Sequence, residues 1–556
     1  MKRRKFIQLS QAPLASGLTA PWIWTPARAE ADGLGSIVET STGSIQGYIN
    51  DSVEVFRGVP YGEPTYGANR FMPPQPVRPW TGVRLTTVHG TRSPQPYRPM
   101  IPEIGDALTG TGAMGEDNLK LNVWTSDARR GANKPVYIWF HGGGFRTGSG
   151  NSPVFDGEQL ARYHDMVVVT VTHRLNALGF LYLADAPDSR YQNSSNMGMQ
   201  DILLALKWVN QNIENFGGNP NNVTIGGQSG GGGKTSILQG MPEAQGLFHK
   251  AVVMATIIET AVTALEVEEA VHNRDLLLGR LGLSLNNLGP LHEMPFENII
   301  RALGRQPGPN TPENRDLSLS FVPVKDDRVL AYHPFSPQAT PISTEVPLIL
   351  GSNETEGVPY GAPDDKFWNS EAGNMEELTT EIMQSHRISQ GEARDLIDLY
   401  RRGRPNASFG DLSLYMQADI RATSRSAEII AEAKLHQGTA PVYMYYFQWN
   451  SPVRQGKLRS MHCMEVPFFF DNIDNAAYMT GRGREQYNLA WNMSESWLAY
   501  FRTGNPSHEG IGQWTQYTLP DRATMVFGNN PRMVNDPYGD ERIATEEIVA
   551  SWGGEA

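Results

Sequence analysis

The chain has 556 residues, of which 39% are apolar and 9% aromatic, enough for a sizeable hydrophobic core. Its net charge of −12 at neutral pH repels phosphate backbones, so nucleic acid is not expected as a partner. The single cysteine, Cys463, excludes an intramolecular disulfide and a cysteine-based metal cluster.

At the amino terminus, Lys2-Arg3-Arg4-Lys5 precedes an uncharged, moderately apolar stretch up to Pro26, and Ala27-Arg28-Ala29 supplies a small-x-small cleavage site. This is the layout of a signal peptide over residues 1–29, and the arginine pair resembles the twin-arginine type. The segment carries five basic residues and no acidic one, so its removal deepens the net charge from −12 to −17. Export to the periplasm or the medium is the expectation. Twin-arginine cargo folds before export in a reducing cytoplasm, which accounts for an exported chain without disulfides. Further on, no stretch approaches the roughly 18 uninterrupted apolar residues of a membrane span, so no stable membrane anchor is expected.

Residues 36–80 read as short strands and turns, with Gly and Pro at close intervals. Apolar, β-branched runs follow at 135–140, 166–171, 223–225, 251–254, 347–350 and 441–447. These runs are continuous rather than alternating, which suits strands covered on both faces and hence a mostly parallel sheet. Between two of them, 199–216 places apolar residues at 202, 206, 209, 213 and 216, a helical spacing with Asp201 near its start and Gly217-Gly218 at its end. Such strand–helix–strand units predict an α/β fold with a doubly wound sheet. Length alone allows three or four domains, but large α/β chains with insertions often form one unit. Residues 30–556 are accordingly read as a single domain, with helix-rich, charged insertions at roughly 257–340 and 358–440 that roof the site.

The chemistry concentrates at the ends of these runs. Gly227-Gln228-Ser229-Gly230-Gly231 directly follows the strand candidate 223–225 and has the Gly-x-Ser-x-Gly pattern of a nucleophile elbow. The turn crowds its backbone two residues to either side of the serine, where glycine alone fits, so Ser229 stands clear as a candidate nucleophile. With 56 glycines in the chain the pattern alone is weak, and a base, an acid and an oxyanion hole must accompany it. His141-Gly142-Gly143-Gly144-Phe145 follows the run 135–140, and its glycines let backbone N–H groups converge on one point. Gly143 and Gly144 are the candidate donors, with Gly230 as a third. The run 230–235, Gly-Gly-Gly-Gly-Lys-Thr, tempts one towards a phosphate-binding loop, but that motif requires glycine at 228, where Gln stands.

In a nucleophile-elbow fold the order is serine, acid, histidine. His436, His462 and His508 are the histidines of the last quarter of the chain, and His462 lies in a loop after a late strand, where the base must arrive. For the acid, Gly351 to Gly357 is a polar loop after the strand candidate 347–350, and both Glu354 and Glu356 qualify.

Taken together the chain resembles the type-B carboxylesterases, the family of bacterial para-nitrobenzyl-type esterases and animal cholinesterases. The likeness spans Phe56 to Tyr61, Glu116 to Trp124, the Gly-rich loop 141–145, Arg174 to Phe180, the elbow, Gly351 to Gly357, His462 to Phe470 and Phe501 to Pro506. It implies an α/β-hydrolase fold and a serine carboxylesterase acting on a small-molecule ester without metal or organic cofactor. In the family pattern the glutamate just before the glycine is the triad acid, which selects Glu356. The pattern also supports His462, followed by Glu465 and Pro467. Two departures stand out: Asn118 occupies a position that is often Cys, and Gln228 one that is often Glu. Loss of that charge weakens attraction for cationic substrates and support for a protonated His462. The same triad serves amides, carbamates and lactones, and a hydrolase-like binding protein without activity is the remaining alternative, disfavoured by a complete triad. The sequence carries no signature of oligomeric state.

Overall fold

The computed structural model describes residues 33–97, 109–110, 112–304, 319–357, 373–420, 423–438 and 440–552; the signal-peptide segment lies outside them. The apolar runs become the middle of one large sheet. Its strands are β1 (Gly33–Thr40), β2 (Gly43–Asn50), β3 (Val53–Pro60), β4 (Val83–Leu85), β5 (Lys120–Thr125), β6 (Lys134–Phe140), β7 (Val167–Val171), β8 (Gly218–Gln228), β9 (Lys250–Met254), β10 (Leu348–Asn353), β11 (Val442–Phe447), β12 (Ala523–Phe527) and β13 (Arg532–Asn535). The order across the sheet is β1-β2-β3-β5-β7-β6-β8-β9-β10-β11-β12-β13, with β4 beside β2. From β7 to β12 neighbouring strands run parallel. The flanks, β1 to β7 through β5 and the β12–β13 pair, are antiparallel.

β6 shows why these strands read as unbroken apolar runs. Val136, Ile138 and Phe140 face one core, whereas Tyr137 and Trp139 face the other. Both faces are covered by helices, so no position on the strand can be polar at low cost. Among the described residues, the helices of eight residues or more are α1 (Met197–Asn212), α2 (Gly230–Leu238), α3 (Val267–Arg280), α4 (Met375–His386), α5 (Gln390–Gly403), α6 (Phe409–Ile420), α7 (Thr423–Gln437), α8 (Arg484–Thr503) and α9 (Gly539–Ser551). α1 packs Ile202, Leu206 and Val209 into the first core. α8 covers the opposite face, where Phe501 stacks on Tyr137 with ring centroids 4.7 Å apart.

Boundaries differ from expectation where tertiary contacts override local preference. The α1 helix gives way to a 3-10 turn over Ile213–Phe216, which still buries Ile213 and Phe216, and Gly217 closes it at a φ of +81°. β8 is much longer than its apolar centre, because pairing with Lys134 at Gly218 and a bulge before Val223 draw polar residues into the strand. β13 carries little apolar signal of its own, whereas β12 is a short, mostly apolar run, Ala523-Thr524-Met525-Val526-Phe527, that pairs with β11 and β13 and packs Met525 and Phe527 into the second core.

Within 257–340 the described elements include α3 and shorter helices. In 373–438, helices α4 to α6 build a small core of their own from Leu378, Ile382, Leu396, Ile397, Tyr400, Leu412 and Met416. α5 begins with a capping box between Ser389 and Glu392. No helix of the described residues is long and apolar enough to cross a membrane.

One buried ion pair ties the loop after β7 to α1. Arg174 Nη2 and Nε donate to Asp201 Oδ1 and Oδ2 at 2.6 and 2.8 Å, and the Arg174 backbone N–H adds a bond of 3.0 Å. Both side chains are buried, so removal of one leaves the other as an uncompensated charge. Asp201→Ala is therefore expected to cost about 3–5 kcal/mol in urea unfolding. A loss below about 1 kcal/mol, as for an exposed pair, would contradict that assignment.

Candidate active site

Ser229 sits between β8 and α2 with φ 58° and ψ −126°, a conformation that costs a non-glycine residue about 1–3 kcal/mol. Its neighbours hold it there: the Ser229 N–H donates to Met254 O at the end of β9 at 2.8 Å, and Gly233 N–H returns to Ser229 O at 3.0 Å. The flanking glycines are a steric necessity. A Cβ on Gly231 would lie 2.0 Å from Phe140 O, and one on Gly227 would lie 2.4 Å from the same oxygen and 2.5 Å from the Gly231 carbonyl carbon.

The shared contact with Phe140 O places the end of β6 against the elbow. The loop that follows turns back through Gly143 and Gly144, both in the left-handed region at φ 85° and 65°. Gly142 faces the serine, since a Cβ there would lie 3.4 Å from Ser229 Cβ. Gly144 touches the first residue of α2: a Cβ on Gly230 would lie 2.2 Å from Gly144 O. Among the described residues, the N–H groups of Gly143, Gly144 and Gly230 donate to no other protein group.

The acid and base loops meet through the backbone. Thr355 and Met461 form a parallel bridge beyond β10 and β11, with Thr355 N–H donating to Ser460 O at 3.2 Å. The next residue on each side is Glu356 and His462. His462 Nδ1 forms a short hydrogen bond with Glu356 Oε2. A carboxylate cannot donate, so Nδ1 carries the proton and Nε2 is left as the basic nitrogen. Glu356 Oε1 accepts from the Asn353 N–H at 2.7 Å, which fixes the carboxyl group from behind. On the other side, Gln228 Nε2 lies 3.2 and 3.3 Å from the two ring nitrogens of His462. The residue before Ser229 therefore contacts the imidazole directly.

Glu354 points elsewhere. Its Oε1 accepts from Gln448 Nε2 at 3.0 Å and lies 3.7 Å from Arg404 Nε, and burial raises its pKa. His508 is bound to Ser496 Oγ and Asn492 O on α8, and His436 lies in the last turn of α7. Ser229, Glu356 and His462 gather at the C-terminal ends of the parallel strands, where open α/β sheets bind ligands.

A family model described as the carboxylesterase family matches residues 35–545. The chain belongs to the carboxylesterase family. Para-nitrobenzyl esterase of Bacillus subtilis is 31% identical over 509 residues, covering 91% of this chain and 97% of that one. Phenmedipham hydrolase of Pseudarthrobacter oxydans is 31% identical over 504 residues, 89% of this chain and 95% of that one. Among solved structures, a Geobacillus stearothermophilus carboxylesterase superposes with a TM-score of 0.75 at 32% identity, covering 91% and 99% of the two chains. The protein is thus a carboxylic-ester hydrolase with the α/β-hydrolase fold.

Three residues of this family member gain importance only in three dimensions. Asn353, the last residue of β10, holds Glu356 by its backbone and Glu465 by its side chain, whose Nδ2 donates to Glu465 Oε2 at 2.5 Å. Glu465 is fully buried, and burial together with the nearby Glu356 carboxylate raises it above the usual carboxylate range. Cys463, at a φ of 74°, donates its Sγ hydrogen to Gln228 Oε1 at 3.1 Å. Burial raises the thiol, so the side chain acts as a donor rather than a thiolate. A polar strand end was the one sequence signal for Asn353; nothing local marked Cys463.

Proposed function

We propose that the enzyme hydrolyses its ester by acyl transfer through Ser229, with His462 as general base and Glu356 as its partner. His462 Nε2 takes the Ser229 proton as Oγ attacks the ester carbonyl carbon. Glu356 keeps the proton on Nδ1 and stabilises the imidazolium as it forms. The carbonyl oxygen becomes an oxyanion held by the N–H groups of Gly143, Gly144 and Gly230. His462 then protonates the leaving alkoxide. A water molecule, deprotonated by the same nitrogen, attacks the acyl carbon and releases the acid, restoring Ser229.

The observation that supports this reading is the bridge from Thr355 to Met461 together with the Glu356–His462 hydrogen bond and the contact of the imidazole with Gln228, the residue before Ser229. The uncommitted N–H groups across the turn support the oxyanion role. The names of the two relatives make a para-nitrobenzyl ester and phenmedipham the first substrates to try, beside an amide and a lactone. Ser229→Ala is expected to lower turnover by a factor of at least about 10⁴ while leaving the fold intact, as read by circular dichroism. A fluorophosphonate adduct should map to Ser229 by mass spectrometry. Glu356→Gln should lose far more activity than Glu354→Gln; the reverse order would reassign the acid.

The neutral Gln228 also has a measurable consequence. Gln228→Glu introduces an anion beside His462, which favours the imidazolium and so raises the pH needed to free Nε2. The acid limb of the kcat/KM profile is expected to move to higher pH, and an unmoved limb would contradict His462 as the titrating base.

We further infer that residues 1–29 direct export by the twin-arginine route and that 30–556 form one hydrolase domain, with insertions at roughly 257–340 and 358–440. Support comes from the basic pair Arg3-Arg4, the site at Ala27-Arg28-Ala29 and the lone cysteine. Amino-terminal sequencing of the exported protein should begin at Glu30, whereas a chain starting at Met1 would refute cleavage.

A further inference from the structure

Lys234 lies on α2, little more than one turn beyond Ser229, and is fully buried. Its ammonium is held by backbone carbonyls: Gly144 O at 2.8 Å, His141 O at 3.0 Å and Gly230 O at 3.3 Å. The ring of Phe145 lies 4.9 Å from Nζ. The titratable groups beside it, His141 and His173, are stacked on each other and pushed well below the usual histidine range, by burial first and then by the ammonium. Burial lowers Lys234 itself to about 7. Placing an ammonium where an apolar chain of the same length would fit is costly, so stability alone gives no reason for lysine here.

The identity of the three carbonyls supplies the reason. The N–H groups of Gly143 and Gly144 belong to two successive peptide groups. His141 O lies on the peptide group before them and Gly144 O on the one after, so Lys234 grips the loop on both sides of the donors. The carbonyls between are fixed as well. His141 Nδ1–H donates to Gly142 O at 2.9 Å, and Thr147 N–H donates to Gly143 O at 3.1 Å. Gly230 O belongs to the peptide group that follows the Gly230 N–H, so the same ammonium ties the loop to the start of α2.

We propose that Lys234 is a positioning residue for the oxyanion hole: its ammonium locks the Gly142–Gly144 loop to α2, so that the N–H groups of Gly143, Gly144 and Gly230 converge before substrate arrives. The proposal rests on Ser229 as nucleophile. Lysine in this place does not meet phosphate, since its three donors are spent on carbonyls.

The test compares the wild-type enzyme with Lys234→Met, which keeps the length and removes the donors, and with Lys234→Arg. Lys234→Met should lower kcat on a para-nitrobenzyl ester by about 10- to 100-fold, less than the roughly 100- to 1,000-fold that loss of an oxyanion donor itself costs, because the donors stay in place but lose their alignment. KM should stay within about threefold, because ground-state binding does not use the oxyanion. A trifluoromethyl ketone adds Ser229 Oγ to its carbonyl carbon, passes the serine proton to His462 and leaves an alkoxide in the hole. Its affinity should fall by the same factor as kcat/KM, whereas a methyl ketone of the same shape should bind unchanged. Lys234→Arg should recover part of the loss. Wild-type kcat in a folded Lys234→Met, or equal weakening of both ketones, would overturn the proposal. If that variant does not fold, Lys234→Gln reads the same comparison. Failure of both to fold would also overturn it, by assigning the lysine to the fold. Ser229→Ala is run in parallel: turnover retained there refutes the nucleophile, whereas turnover lost there but kept in Lys234→Met refutes the lysine's role alone.

Discussion

The carbonyl oxygen of Phe140 is the constraint around which this site is organised. It ends β6, and β8 runs parallel beside it, so the turn after β8 must pass within contact of that oxygen. Side chains at 227 or 231 would collide with it. Their absence lets the elbow close, and closure drives Ser229 to a φ of 58° with its side chain clear of the strand. The same contact brings the loop after β6 against the serine. The candidate nucleophile and the candidate oxyanion donors are thus positioned by one pair of strand ends rather than by separate devices.

The electrostatics around that point are unusually sparing of anions. Gln228 stands where the family often has a carboxylate, burial raises Glu465 towards its neutral form, and Glu354 is turned towards Arg404 and Gln448. Glu356 remains as the carboxylate in contact with His462. On the other side, the Lys234 ammonium lies behind the Gly-rich loop.

Much of this was legible in the sequence because each feature lies at the end of an apolar run. Continuous runs predicted parallel strands, and Val136, Ile138 and Phe140 against Tyr137 and Trp139 show why, since both faces are buried. What escaped notice depends on partners distant in the chain. Cys463 matters because its thiol meets Gln228, 235 positions earlier. Lys234 illustrates the limit from the other side. As part of a Gly-Lys-Thr string it suggested phosphate, while its contacts lie on carbonyls of a loop about 90 residues upstream.

By itself the sequence determined the candidate nucleophile, the Gly-rich donors, the order in which acid and base must follow, and, with the family pattern, the family. These are local or ordinal properties: a turn that admits only glycine and strand ends that recur in a set order. Tertiary structure decided what each acidic and polar group faces. Glu354 and Glu356 are two residues apart and chemically alike, and residue chemistry alone left both open. The pairing of β10 with β11, continued by the bridge from Thr355 to Met461, turns one towards His462 and the other towards Arg404. A contact across 106 residues is set by strand register, and register is a property of the folded sheet rather than of any one segment.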